Sequence, residues 1–168
     1  MTSDEAVPVD PGPGPVGAVE QVTRRDGMIE IAVRLTNPRP DRALHYISDP
    51  RGITVAPTGG FVVRLTDQGR EIVPGATNRL PAFGRVDPES TALLTLRFPD
   101  TIVRMRVPAA PTDEVELERH EIRPESAIEI AIGWSDEPFY PDPRPSEGNP
   151  VVRWEKGQVR IPVPGPET

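Results

Sequence analysis

Apolar and polar residues alternate with a period of two along most of the chain. Ile29, Ile31, Val33 and Leu35 are separated by Glu30, Ala32 and Arg34, and Phe61, Val63 and Leu65 by Val62 and Arg64. Ala92, Leu94, Leu96 and Phe98 alternate with Leu93, Thr95 and Arg97. Ile128, Ile130, Ile132 and Trp134 alternate with Glu129, Ala131 and Gly133. Successive side chains of a strand point to opposite faces, so each run predicts a strand with one buried face. No window carries the 3.6-residue period of a helix. Proline and glycine bound the runs, and turn signals recur roughly every ten residues, as in sandwiches and barrels.

Parity also predicts registers. Opposing Arg106 to Glu114 sets Arg104 against Glu116, Met105 against Val115 and Val103 against Leu117. One face of that hairpin is then apolar and the other alternates in charge, whereas a one-residue slip loses both patterns. Around Gln68-Gly69, pairing Asp67 with Arg70 sets Leu65 against Ile72. Around Lys156-Gly157, pairing Glu155 with Gln158 sets Trp154 against Val159 and Val152 against Ile161, with Arg153 facing Arg160. The segments 86–100 and 122–136 share Pro-Glu-Ser, then an alternating strand, an aromatic residue and an aspartate. This reads as one kind of turn leading into a strand, with Pro fixing φ and Ser or Glu bonding nearby backbone.

Composition narrows the picture. The 168 residues support a single domain with tails. Residues 1–18, with Pro8, Pro11, Pro13 and Pro15 among glycines, read as a disordered leader. Residues 19–162 read as the domain and 163–168 as a tail. The absence of cysteine excludes a disulfide framework, a zinc–thiolate site and a cysteine nucleophile. A net charge of −7 argues against a nucleic-acid partner, which needs a basic surface. No run of about 20 apolar residues exists, so no membrane insertion is expected. The acidic, proline-rich start has no export signal. The chain is cytoplasmic as read, or exported or envelope-associated if Met1 is not the natural start.

Catalytic chemistry finds no anchor. His45 lies in the run Ala-Leu-His-Tyr-Ile and His120 follows an acidic strand; neither has metal-ligand or triad spacing, so both read as structural. There is no Gly-x-Ser-x-Gly elbow and no phosphate loop, and Thr58-Gly59-Gly60 reads as a turn. Glu114, Glu116 and Glu118 form one outward stripe offset by Arg104 and Arg106. No catalytic, cofactor-binding or metal residue is assigned, and no cofactor is expected. The loop 136–150 stands apart. Asp136, Glu137, Asp142 and Glu147 make it acidic without an EF-hand pattern, so it reads as solvated. Its length and proline content, with the adjacent aromatics Phe139 and Tyr140 and with Arg144, mark it as a candidate partner-binding surface. Alternatively, Phe139 and Tyr140 fold back beside Trp134 to plug the core.

Three stretches carry a family resemblance: AVRLTNPRPDRALHYIS from residue 32, FVVRLTDQGREI from 61 and VDPESTALLTLRF from 86. A strand ending in Thr-Asn-Pro, one entering Asp-x-Gly-x-Glu and a Pro-Glu-Ser turn before a third resemble bacterial immunoglobulin-like domains. Among these the chain is similar to the intracellular proteinase inhibitor (BsuPI) type. The resemblance covers under half the chain. It implies a sandwich and a non-catalytic role, and it carries no inhibitory loop onto any residue. The expectation is therefore an all-β, immunoglobulin-like antiparallel β-sandwich with a disordered N-terminal leader. Its expected role is a non-enzymatic protein-binding or structural module with a protein partner, as subunit or accessory factor of a larger assembly such as a cell envelope or virion. Two alternatives are a calcium-dependent carbohydrate-binding domain or enzyme accessory module using the 136–150 loop, and a free proteinase-inhibitor-like domain.

Overall fold

The computed structural model describes residues 12–50, 52–66, 82–106, 110, 114, 116–138 and 155–165, with backbone alone for Met105 and Arg106. Eleven strands and no helix occur among them. They are β1 (Val16–Arg25), β2 (Met28–Thr36), β3 (Leu44–Ile47), β4 (Gly52–Val55), β5 (Phe61–Leu65) and β6 (Phe83–Val86). The chain continues through β7 (Thr91–Pro99), β8 (Thr101–Arg106), β9 (Glu116–Glu121), β10 (Ile128–Ser135) and β11 (Gly157–Val163).

The alternation places nine of these strands in two facing sheets, and β8 and β9 form a separate two-stranded ribbon. β2 is central in an antiparallel sheet ordered β1–β2–β7, where Ile31 opposes Leu96 and Val33 opposes Leu94. β1 and β2 are joined by Asp26-Gly27, both at positive φ (52° and 74°), the backbone of a two-residue hairpin turn matching strand twist. The second sheet is built on β10. β11 runs antiparallel along one edge from Ile128 to Trp134. The other edge is shared: β5 pairs in parallel from Ile128 to Ile132, then β3 pairs antiparallel with Trp134 and Ser135. β4 extends beyond β5, and β6 beyond β3.

In β2, β5, β7 and β10 the alternating runs bury the face their period predicts. Ile29, Ile31, Val33 and Leu35 meet Val63, Leu65, Ile130 and Ile132 in one core, all with no exposed surface. Burial of each such aliphatic side chain contributes roughly 1.5–3 kcal/mol. β10 is buried on both faces, since Ala131 and Ser135 are also sealed. Over its second face, Glu155 lies against Gly133 and accepts hydrogen bonds from Thr66 Oγ1 at 2.5 Å and Gln158 Nε2 at 3.1 Å.

Two expectations change. The domain begins earlier than residue 19: Val16, Gly17 and Ala18 already pair with Thr36, Leu35 and Arg34. Gly17 exposes a bare backbone on which Ile161 packs, so a residue that looked like leader composition is a contact between the sheets. The hairpin of β8 and β9 sits two residues from the expected register, with Arg106 opposite Glu116, Arg104 opposite Glu118 and Val103 opposite Arg119. A two-residue shift preserves facing, so parity could not exclude it. The observed register is anchored at its base, where Ile122 N donates to Asp100 O and Asp100 N to Gly27 O. β11 pairs with β10, so Ile161 faces Ile130, and Arg160 pairs with Glu129 at 2.7 Å. The residues expected opposite β11, Val152 to Trp154, lie outside the described residues, as do Asp67 and Arg70.

Both Pro-Glu-Ser segments are four-residue turns closed by the serine N–H, although Glu89 adopts a positive φ (54°) and Glu125 does not. Ser90 N donates to Asp87 O and Ser126 N to Arg123 O, closing equivalent rings before β7 and β10. Ser126 Oγ also accepts from Arg123 N at 2.9 Å, the side-chain bond expected of that residue type.

Candidate functional site at the loop-bearing end

The strand ends beyond Thr36, Val86 and Ser135, the approach to β11 and the lead into β1 converge at one end of the sandwich. Asn37, the middle residue of the Thr-Asn-Pro strand end, is fully buried. Its Nδ2 donates to Arg42 O (2.7 Å), Val86 O (3.1 Å) and Asp87 O (3.3 Å), while its Oδ1 accepts from Arg39 N (2.9 Å). With Asn37 N on Ser90 O and Glu89 N on Arg39 O, this side chain fixes the 37–43 loop against the β6–β7 turn. A buried amide with every group satisfied is a rigidifying element.

The loop so held presents Arg39 and Arg42 to Asp136, the first residue after β10. Arg39 Nη1 lies 3.1 Å and Arg42 Nη1 3.2 Å from Asp136 Oδ2, and Lys156 Nζ lies 2.6 Å from Oδ1. The hydrogen bond from Lys156 holds the Asp136 carboxyl below its ordinary range; burial opposes this and Arg39 reinforces it. The same bond raises the Lys156 ammonium above its ordinary value. Arg39 also donates from Nε to Pro13 O (2.8 Å) and stands 5.7 Å from the centre of the Trp134 ring, in cation–π range. Trp134 is 4% exposed. Gly14 and Gly157 lie against its ring, where a side chain at either position would collide or crowd.

Asp136 thus departs from the solvated reading of the acidic loop: its side chain is 9% exposed and committed to three cations. The pattern of charges gave little warning, because Arg39 and Arg42 lie almost a hundred residues away in sequence. The one legible signal is Lys156, the only lysine of the chain. Lys156 N also donates to Trp134 O at 2.8 Å. Asp136 and Lys156 are therefore two clasped feet, and the sequence between them contains the candidate loop. Phe139, Tyr140 and Arg144 lie outside the described residues, as do Asp142 and Glu147.

His45 opposes Ser135 across the β3–β10 ladder and senses Asp136, so a serine, a histidine and an aspartate come together. Burial, then the Arg85 guanidinium, lowers the His45 pKa below its ordinary value, against the pull of Asp136. Ser135 has no exposed surface, and its Oγ accepts a hydrogen bond from Glu137 N at 3.1 Å. No hydrogen bond joins His45 to Ser135 or Asp136 in the arrangement that activates a nucleophile. Among the described residues no cluster of three His, Asp or Glu side chains could hold a metal ion, and no helix is long and apolar enough to cross a membrane. What the site offers is rigidity: a platform in which three cations are cross-linked through one carboxylate, at the feet of the candidate loop.

Comparison with known proteins adds no relative: no family model, no curated protein and no solved structure matches the chain.

Proposed function

We propose that the protein is a non-enzymatic binding module of the immunoglobulin-like kind, similar to the BsuPI type, acting as a subunit or accessory factor of a larger assembly. Its contact surface is the loop-bearing end, with Phe139, Tyr140 and Arg144 as the anchoring side chains. The observation that carries this reading is the clasp of Asp136 by Lys156, Arg39 and Arg42. A loop whose feet are fixed loses less conformational freedom on binding, and adjacent aromatics with an arginine are the residue types that dominate protein interfaces. Commitment of Asp136 to three cations also removes one carboxylate from any calcium site in this loop, which favours protein contact over calcium-dependent sugar binding.

The test compares the full chain with Phe139→Ala/Tyr140→Ala in quantitative capture from the native lysate, alongside thermal melting. A protein partner retained by the parent and lost by the variant, with the two melting alike, supports the reading. A destabilised variant that keeps its partner means the aromatics plug the core, and the proposal fails.

A further inference from the structure

The opposite end of β10 carries a second feature, independent of the loop-bearing end. A cavity of about 450 Å³ opens between β9, the turn before β5 and the Pro-Glu-Ser turn before β10. Its walls bring together the guanidinium-bearing residues Arg119 and Arg123, with His120 between them in sequence. Phe61, itself buried, also lines it.

The cations here differ from those around Asp136. Arg119 makes no ion pair or hydrogen bond to any described residue, and it is exposed. Arg123 has only a 3.5 Å contact with Glu121, both side chains being about two-thirds exposed (66% and 67%). Such a pair holds an arginine weakly. His120 Nε2 is shielded from solvent and its nearest recorded partner is Glu118 Oε2 at 3.5 Å, too long for a good hydrogen bond.

The backbone beneath these residues is fixed. Arg24, from β1, donates to Ile122 O (2.6 Å) and Arg123 O (2.9 Å). Ile122 N donates to Asp100 O, Arg123 N to Ser126 Oγ, and Ser126 N to Arg123 O. Ser126 lines the cavity, and its hydroxyl proton is left to donate. On the facing side Gly59 adopts φ +92° with open space where a side chain would stand, which keeps the mouth wide. Two lightly held guanidinium groups, an imidazole and a hydroxyl on a pinned turn make a set of donors suited to an anion with several oxygens. Glu121 is the one acid on this wall, so it and the two arginines leave one net positive charge in the lining, in a chain of net charge −7.

We propose that this cavity is an oxyanion-binding site, taking a phosphate or carboxylate group between Arg119 and Arg123 with Ser126 and His120 as further donors. The ligand is a free anion or such a group borne by a larger molecule; the shared chemistry is the oxyanion. The test is an NMR titration of the full chain with inorganic phosphate and, separately, acetate, at ionic strength held constant with sodium chloride. The His120 ring and the Arg119 and Arg123 side-chain NH resonances are followed. Saturable shifts with both anions support a general oxyanion site, and saturation with phosphate alone narrows the ligand to a phosphoryl group. Arg119→Gln, at an exposed position with no side-chain partner among the described residues, keeps the parental melting temperature and binds at least threefold more weakly. Arg119→Gln/Arg123→Gln weakens binding at least tenfold. Shifts that stay linear to high anion concentration, or that are unchanged in Arg119→Gln, overturn the proposal.

Discussion

β10 and the β8–β9 ribbon carry the same kind of sequence signal and meet different fates. Both alternate cleanly, yet β10 is buried on both faces while Val103 and Leu117 of the ribbon remain 52% and 64% exposed. In β10 a slip by two residues would move Ile130 from Val63 and Ile161 and drive Trp134 off the two glycines that accommodate it. In the ribbon a slip by two trades one set of Arg–Glu pairings for another on one face and sets Leu117 rather than Arg119 opposite the exposed Val103 on the other. Alternation determines the face of a strand; burial determines its register.

The largest expected effect follows from breaking the buried side. Trp134→Ala removes a ring packed against Gly14, Gly157 and the Arg39 guanidinium. Urea unfolding should show a loss of about 3–5 kcal/mol, the usual cost of truncating a buried aromatic. A variant as stable as the parent would mean the tryptophan is not part of the core.

Next comes Asp136→Asn. A buried ion pair that loses one partner typically costs about 3–5 kcal/mol, but Arg42 and Lys156 are partly solvated, so the expected loss is about 2 kcal/mol. Chemical unfolding at neutral pH checks it, and parental stability would show that the three cations need no counter-charge.

Acid weakens the same end, and the sign can be worked out for each group. The folded state lowers the pKa of His45, so the unfolded chain binds more protons as pH falls below the ordinary value of 6.5. Stability therefore drops on acidification from that point and levels off below the folded pKa. Arg85 and Asp136 are the charged groups acting on His45, with opposite signs. Asp136 adds a further loss only at more acid pH, below its ordinary 3.8, as it protonates through its depressed folded value. Urea midpoints at pH 7 and pH 5 should differ in that direction, and His45→Gln should flatten the difference. An unchanged slope in that variant would assign the effect to other groups.

These effects bear on what the chain discloses. The interior faces of β2, β5, β7 and β10 were legible because each keeps its period through a fully buried run, from Ile29 to Leu35 and from Ile128 to Trp134. β1 was not, since only Val19 of its side chains packs on the core and a bulge at Glu20 breaks its alternation. Its Asp26-Gly27 turn was the available clue. The parallel pairing of β5 with β10 has no local signature at all, because both are bounded by the same turn residues as antiparallel neighbours. At the loop-bearing end, Asp136 was visible as an acid but its partners were not. Arg39 and Arg42 reach it only because Asn37, fully buried, folds their loop inward, and one asparagine after a strand does not announce three backbone carbonyl partners.

The smallest expected effect tests the exposed side of the comparison. Leu117→Ser should change stability by no more than about 0.5 kcal/mol, because that side chain is 64% exposed and so buries little area on folding. Register is then read without relying on stability. Directly opposed strand residues have Cβ atoms roughly 4.5–5.5 Å apart, and positions offset by two lie roughly 7–8 Å apart, beyond comfortable disulfide reach. Val103→Cys/Arg119→Cys should therefore cross-link under mild oxidation, whereas Val103→Cys/Leu117→Cys should not. The chain's lack of native cysteine makes the readout unambiguous on a non-reducing gel. The reverse outcome would place Arg104 opposite Glu116, as the charge pattern alone suggests. It would also mean that the anchor at Asp100 and Ile122 does not govern the ribbon, and that face complementarity suffices to choose a register without burial.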